Sequence, residues 1–394
     1  MDSMTAEPST ELATVDADAG KPRVLIIVRD IDGDPAGQAA FDVATHLAAN
    51  NVPSQMLSSG GRLLTGLLRR KVTHVEWQVP GDGPIGHMKA TKRIAQMIRD
   101  NDYNIVHVFG RIVPGAVRAA CQKTGAKMIA SFPGTYPTDG WREGRRTKSL
   151  AKADHFIASS GYVRNYLVDE LNIPLARIAT IAPGVDMAHF NPGAVKGQRM
   201  IELVRHHGIP EEHKVILMPA RLIPWKGQRK VIEAFARLNG QNTTLLIAGD
   251  SNRDAAYSDA LQTQVEDARM AGQIRFLDLI DDMPALYMLS DVVIEAPEQP
   301  VAFARASAEA QAMGRPVVTS AVGSGPEAVI EGKTGWLAAP GDVDGITLAL
   351  KKALDLDVDA RKRLALAARS HARSSFDLNA CMAEVEAVYE TLLA

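Results

Sequence analysis

Short apolar runs of strand length alternate with helical patterns along almost the whole chain, and this alternation limits the fold more than any other feature. Val24 to Val28 is a run of five apolar residues bounded by Arg23 and Arg29. A loop from Arg29 to Gly37 follows, then a helical pattern over 39–49. Ile105 to Val108, Lys127 to Ser131 and His155 to Ala158 read as further strands, and 116–123 reads as a helix. After a break at Asn191-Pro192-Gly193 the pattern restarts. Strands are expected at 215–218, 244–248, 274–277, 291–294 and 316–319, with helices over 229–238, 348–354, 360–374 and 378–393. Strands of this kind, alternating with helices, predict parallel sheets covered on both faces. Two such units in succession imply a ligand cleft between them.

A length of 394 residues suits two to three cores. The formal net charge of −2 argues against a general nucleic-acid binder. Residues 1–20 hold five acids and no Lys or Arg, so they read as a disordered acidic tail and not as a signal peptide, and the body is mildly basic. Cys121 and Cys381 are too few for a disulfide framework or a four-ligand zinc site. No apolar run exceeds Val24 to Val28 in length, so no membrane span is expected. The loop after the first strand lacks G-x-G-x-x-G and carries Asp30, Asp32 and Asp34, which would repel a pyrophosphate. Gly332-Lys333-Thr334 ends like a P-loop, but Glu327 stands where its first glycine belongs. There is no H-E-x-x-H and no G-x-S-x-G.

Three segments of the second half suggest a site. Arg221 and Lys226 sit in Ala220 to Gly227, between a strand and a helix, at the sheet edge where open α/β folds bind ligands. A planar guanidinium and an ammonium there could converge on a diphosphate, or could simply be a solvated basic loop. Glu309 lies in the small-residue helix 304–313, as a hydroxyl-binding carboxylate or as an ordinary exposed acid. Gly323-Ser324-Gly325-Pro326-Glu327 offers backbone amides for an anion nest, or a plain turn.

The order of these pieces resembles a retaining glycosyltransferase of family four with the GT-B fold. The resemblance rests on IAPGVDMAHFNP (181–192), MPARLIPWKGQ (218–228), DDMPALYMLSDVVIEA (281–296) and AEAQAMGRPVVTSAVGSGPEAVIEGKTGWLAAPGD (308–342). It implies an α/β chain of two doubly wound Rossmann-like domains facing a central cleft. The expected division is an acceptor domain over 21–192, a nucleotide-sugar domain over 193–375, and a last helix over 376–394 crossing back to the first. By the same resemblance Arg221 and Lys226 match the catalytic diphosphate-binding pair. Glu309, with Gly323 and Ser324, belongs to the nucleotide end. The donor is a nucleotide-diphosphate sugar, with no cofactor and no metal.

Three positions depart from the family pattern. Val301 stands where the first Glu of the signature belongs, in Val301-Ala302-Phe303-Ala304-Arg305. Pro133 replaces the usual His in Phe132-Pro133-Gly134, which removes a side-chain donor and a backbone N–H. The loop ending at Gly37 is Asp-rich where glycines are usual. All three fall on the sugar or acceptor side, where Phe303 and the strand residue His107 are also expected to line the cleft. Two readings follow: an active transferase with an unusual donor or acceptor, or a non-catalytic relative that binds nucleotide. A glycan or lipid-linked acceptor of surface polysaccharide or lipopolysaccharide synthesis is implied. The basic stretches Arg62 to Lys71 and Arg142 to Lys152, with Leu67, Leu68 and Trp141, read as solvated helix faces or as peripheral contacts with anionic membrane. The expected location is cytoplasmic, peripheral on the inner face of the membrane, with no nucleic-acid partner. Trp225 and Trp336 read as packing residues.

Overall fold

The computed structural model describes residues 20–80, 83–238, 240, 242–252 and 254–394. Apart from Gly20, the expected acidic tail lies outside these residues. The first sheet holds β1 (Val24–Ile27), β2 (Ser54–Ser58), β3 (Thr73–Glu76), β4 (Ile105–Phe109), β5 (Lys127–Phe132), β6 (His155–Ala158) and β7 (Ile178–Thr180). The second holds β8 (Lys214–Pro219), β9 (Thr243–Ala248), β10 (Ile274–Leu277), β11 (Val292–Glu295), β12 (Val317–Ser320) and β13 (Gly335–Ala338). Their orders are β3-β2-β1-β4-β5-β6-β7 and β10-β9-β8-β11-β12-β13, with parallel pairing between neighbours. This is the doubly wound arrangement that the alternation predicts, and two such units in succession are what the resemblance implies.

The central strands are apolar on both faces because both faces are covered. Val24 and Ile26 enter one core cluster and Leu25 and Ile27 the other. In the second sheet Ile216 and Met218 face one cluster while Val215 and Leu217 face its counterpart. Aspartates start many of the covering helices. Asp34 accepts from the Gly37 N–H at the start of Pro35–Ala49, and Asp377 accepts from Asn379 and Ala380 at the start of Leu378–Leu393.

The chain passes between domains at two adjacent places. The Val185 N–H donates to the Phe376 carbonyl at 2.7 Å, and the Leu378 N–H donates to the Val185 carbonyl at 3.0 Å. The crossing therefore lies at Gly184 to Asp186, slightly upstream of Pro192. Helix Leu378–Leu393 then packs Cys381, Met382, Val385 and Tyr389 into the first domain's core. Glu386 meets His46 at 3.0 Å on helix Pro35–Ala49.

This return explains His107, which the sequence placed on the cleft. His107 is fully buried in mid-strand, on the same face of the sheet as Ile105 and Phe109. Its Nδ1 lies 2.6 Å from Tyr389 Oη and its Nε2 lies 2.7 Å from Ser131 Oγ. Burial pushes its pKa down to about 3, so it is a neutral core histidine that fastens the last helix. Tyr389→Phe leaves one buried ring nitrogen without its partner. The expected loss is about 1–3 kcal/mol, seen as a lower urea midpoint.

Candidate active site

In a doubly wound sheet the ligand crevice opens where strand order reverses, outside the carboxyl ends of the strands. In the second domain that point lies between β8 and β11, which are hydrogen-bonded neighbours. The loop after β8 carries Arg221 and Lys226, and the loop after β11 carries Val301 and Phe303. Gln228, fully buried, donates from Nε2 to the Arg221 carbonyl at 2.8 Å and receives the Tyr257 hydroxyl at 3.2 Å. These bonds fix the backbone beneath Arg221. Pro224–Lys226 forms a single 3-10 turn that ends at Gly227. Gly227 has φ +83, and a Cβ there would lie 2.0 Å from the Ala296 carbonyl oxygen. The Glu298 N–H donates to the Trp225 carbonyl at 2.8 Å. The turn is thus clamped onto the segment that follows β11.

The two cations converge on one ring. Arg221 Cζ lies 5.9 Å and Lys226 Nζ 4.7 Å from the Trp225 centroid. Trp225 therefore supports the cations as well as packing beneath them. Burial lowers the Lys226 pKa, Glu295 raises it and Arg221 lowers it. The Val301 side chain is buried with Ala304, Ala328 and Trp225 in an apolar cluster. Gly323 has φ +61, and a Cβ there would sit 2.4 Å from the Val301 carbonyl. The Ser324 N–H donates to that same carbonyl at 2.9 Å. The open nest expected from the sequence is thus corrected at Ser324, whose amide holds the Val301 loop. The Ser324, Thr319 and Ser320 hydroxyl oxygens are buried at this edge and have no protein partner.

Glu309 projects from helix Arg305–Ala312, with its side chain 13% exposed. Tyr287 Oη donates to Glu309 Oε2 at 2.9 Å, and Arg305 Nη1 lies 3.9 Å from Oε1. Burial raises the carboxyl's pKa and Arg305 opposes the rise. Phe303 turns toward the crossing, with its ring 5.8 Å from Phe376 and the Arg305 guanidinium 5.6 Å away. Its contacts are those of a packing residue at the hinge.

From the first domain, the Pro133-Gly134 loop reaches the cleft. A Cβ on Gly134 would lie 3.9 Å from the Ala302 methyl, so the loop after Pro133 approaches the segment after Val301. Gly37 does not offer its amide to a ligand. It is buried, its N–H donates to Asp34 at 2.6 Å, and a Cβ would strike the Asp30 carbonyl at 2.8 Å. Glu327 also spans the cleft. Its two carboxylate oxygens accept from the Gly161 and Tyr162 N–H groups at 2.7 Å, at the start of helix Gly161–Asp169.

Residues 36–189 match the family model "Glycosyltransferase Family 4", and residues 200–371 match "Glycosyl transferases group 1". The chain belongs to glycosyltransferase family 4. The D-inositol 3-phosphate glycosyltransferase of Corynebacterium glutamicum (strain R) is 33% identical over 225 residues, which are 55% of this chain and 52% of that protein. The chain thus spans about half the length of that relative. A glycosyltransferase crystal structure from Rickettsia africae ESF-5 matches with TM-score 0.89 and 24% identity over 95% of this chain and 99% of that one. Anabaena HepE, in complex with UDP and glucose, matches with TM-score 0.80 and 18% identity over 94% of this chain and 100% of that one. At these identities the two solved structures speak to the fold, and the fold is GT-B.

In this family 4 glycosyltransferase, sequence reasoning passed over Glu295, Glu327 and Asp42. Asp42 ends up buried on helix Pro35–Ala49, accepting from Gln38 Nε2 at 2.9 Å. Burial pushes its pKa up to about 6, with Arg305 of the other domain opposing the rise. A carboxyl that is harder to ionise folded than unfolded costs stability above its folded pKa, and the cost vanishes below the unfolded value. Asp42→Asn is therefore expected to raise the melting temperature near neutral pH. Calorimetric melts should show that gain shrinking as pH falls from about 6 to about 4.

Proposed function

We propose that the chain is a retaining transferase, moving a sugar from a nucleoside-diphosphate sugar to a glycan or lipid-linked acceptor of surface polysaccharide or lipopolysaccharide synthesis. The convergence of Arg221 and Lys226 over Trp225, at the strand-order reversal, carries this reading. The bond from the anomeric carbon to the diphosphate breaks as the acceptor oxygen bonds the same face, and the acceptor proton goes to the departing phosphate. Negative charge grows on that phosphate through an oxocarbenium-like state, and two fixed cations stabilise it. No metal enters the proposal. Glu309 holds the ribose hydroxyls, exchanging part of its bonding to Tyr287. That HepE was solved with UDP and glucose supports a nucleotide-sugar donor.

A second reading has its own support. Val301 fills an apolar floor, and Pro133 supplies neither a side-chain donor nor an N–H on the facing loop. A relative that binds nucleotide without transferring sugar would look like this.

The acceptor side carries exposed apolar residues beside basic ones. Leu68 is 56% and Trp141 77% exposed, next to Arg69 and Arg142. Peripheral contact with anionic membrane at the cytoplasmic face fits these residues. Among the described residues no helix is long and apolar enough to cross a membrane.

Calorimetry with UDP, GDP and ADP, each beside a sugar conjugate, tests both readings. Transfer predicts that one conjugate binds more tightly than its bare diphosphate. The second reading predicts that the sugar adds nothing. Arg221→Ala should weaken diphosphate binding roughly tenfold to a hundredfold, the value of a lost charge-assisted hydrogen bond. Unchanged affinity in that variant would remove Arg221 from the site.

A further inference from the structure

We propose that Glu327 is a positioning residue for transfer, a latch whose carboxylate caps a helix of the first domain and so seats the donor edge of the second domain against the acceptor side. The role in transfer rests on the reading above; the contact between the domains does not.

The acceptor-side half of the latch is a helix start that its own domain leaves unfinished. The first N–H groups of a helix have no partner within it. At helix Gly161–Asp169 the Ser160 hydroxyl accepts from the Val163 N–H at 3.2 Å, which answers one of them. The two N–H groups before it, on Gly161 and Tyr162, are answered from the other domain. Glu327 Oε2 accepts from Gly161 and Oε1 from Tyr162, each at 2.7 Å. One oxygen for each amide makes a two-point contact, which fixes direction as well as distance. A Cβ on residue 161 would lie 3.2 Å from both carboxylate oxygens, so the glycine leaves room for this approach. The positive end of the helix dipole adds to the attraction.

The donor-side half is held firmly in its own domain. Glu327 lies on the short helix Gly325–Ala328, directly after the glycine-rich loop. Gly325 is pressed onto the end of β12, where a Cβ would fall 2.0 Å from the Ser320 carbonyl oxygen. The Ser324 N–H donates to the Val301 carbonyl at 2.9 Å. Gln311, fully buried on the helix that carries Glu309, donates from Nε2 to the Ala328 carbonyl at 2.5 Å. Glu327 therefore cannot move far without the loop 323–325 and the Val301 segment moving with it. A second approach lies beside the first: the Ser159 hydroxyl, next to the helix cap, is 3.5 Å from the Ala302 carbonyl oxygen.

The latch is reversible by construction. Glu327 is exposed, so water can replace both amides when the cleft opens. An exposed carboxylate on two helix amides biases the domains toward closure without trapping them.

Hydrogen exchange, read by mass spectrometry on overlapping peptides across 159–169, tests the contact. In Glu327→Ala the Gly161 and Tyr162 amides should exchange up to about fivefold faster. Exchange from Val163 onward should stay as in wild type, because Ser160 still caps that turn. Glu327→Gln keeps one acceptor and should fall between the two. Small-angle X-ray scattering should give Glu327→Ala a larger radius of gyration than wild type. In hydrolysis of UDP-, GDP- and ADP-glucose, kcat is expected to fall by a similar factor with KM nearly unmoved, since Arg221, Lys226 and Glu309 all belong to the second domain. Unchanged exchange at 161–162, or an unchanged radius, overturns the proposal. So does faster exchange along the whole helix, the mark of a cap that serves the first domain alone, and so does a raised KM at wild-type kcat. If wild type consumes none of the conjugates, the transfer reading loses its support, and exchange and scattering alone decide whether Glu327 joins the domains.

Discussion

The double crossing of the chain at Val185 and Phe376 is the constraint on which the rest depends. Two backbone hydrogen bonds tie the outgoing and returning segments together, and the helix after them buries four side chains in the first domain. A single linker would let two Rossmann-like units rotate freely. Two linkers bonded side by side leave mainly one soft motion, a hinge about the crossing. Because each sheet pairs its strands in parallel, its ligand edge is a single edge, and the crossing turns the two edges toward each other. The His107–Tyr389 contact belongs to this device. It serves the geometry of the cleft from the far side of the sheet, without facing it.

Within the cleft the structure places charge where burial would normally suppress it. Lys226, Glu295 and Glu309 all lie at the reversal point of the second sheet, largely out of water. Each is answered by a neighbour of suitable chemistry: an aromatic face for Lys226, a Ser backbone and hydroxyl for Glu295, a phenol for Glu309. In such surroundings a fixed charge acts on a ligand far more strongly than it could in solvent. The same argument explains why Val301 matters. Where the family pattern supplies another acid, this chain supplies methyl groups packed against Trp225.

What the sequence shows well is whatever local pattern determines. VLII, IVHV and VVIE announce buried parallel strands because both faces must be apolar. Ser54–Ser58, Thr73–Glu76 and Ile178–Thr180 escape notice because they are short and mixed in polarity, at or near a sheet edge. Spacing alone leaves Arg221, Lys226 and Glu309 open between a site and a solvated surface; the structure adds that Arg221 and Lys226 share the Trp225 ring and that Glu309 is bonded to Tyr287. His107 misleads for a physical reason. A polar residue inside a strand suggests a site, and the partner that neutralises it, Tyr389, lies 282 residues away. Glu327 is hidden likewise, since its partners are backbone amides 166 and 165 residues away. Glu295 looks like the polar end of a strand until Ser307, twelve residues on, is placed beside it.

The contact made by Glu327 shows how the cleft can close without locking. A carboxylate on the first N–H groups of a helix is favourable, but at an exposed site the gain is about 1 kcal/mol or less. Glu327 is exposed, and the neighbouring meeting of Gly134 with Ala302 involves one methyl group. The crossing, in contrast, is buried and bonded through the backbone. The weak contacts therefore lie at the mouth and the strong ones at the hinge. That gradient favours opening at the mouth with the crossing intact. It also means that a ligand bridging the two edges can readily outweigh what holds them together in its absence.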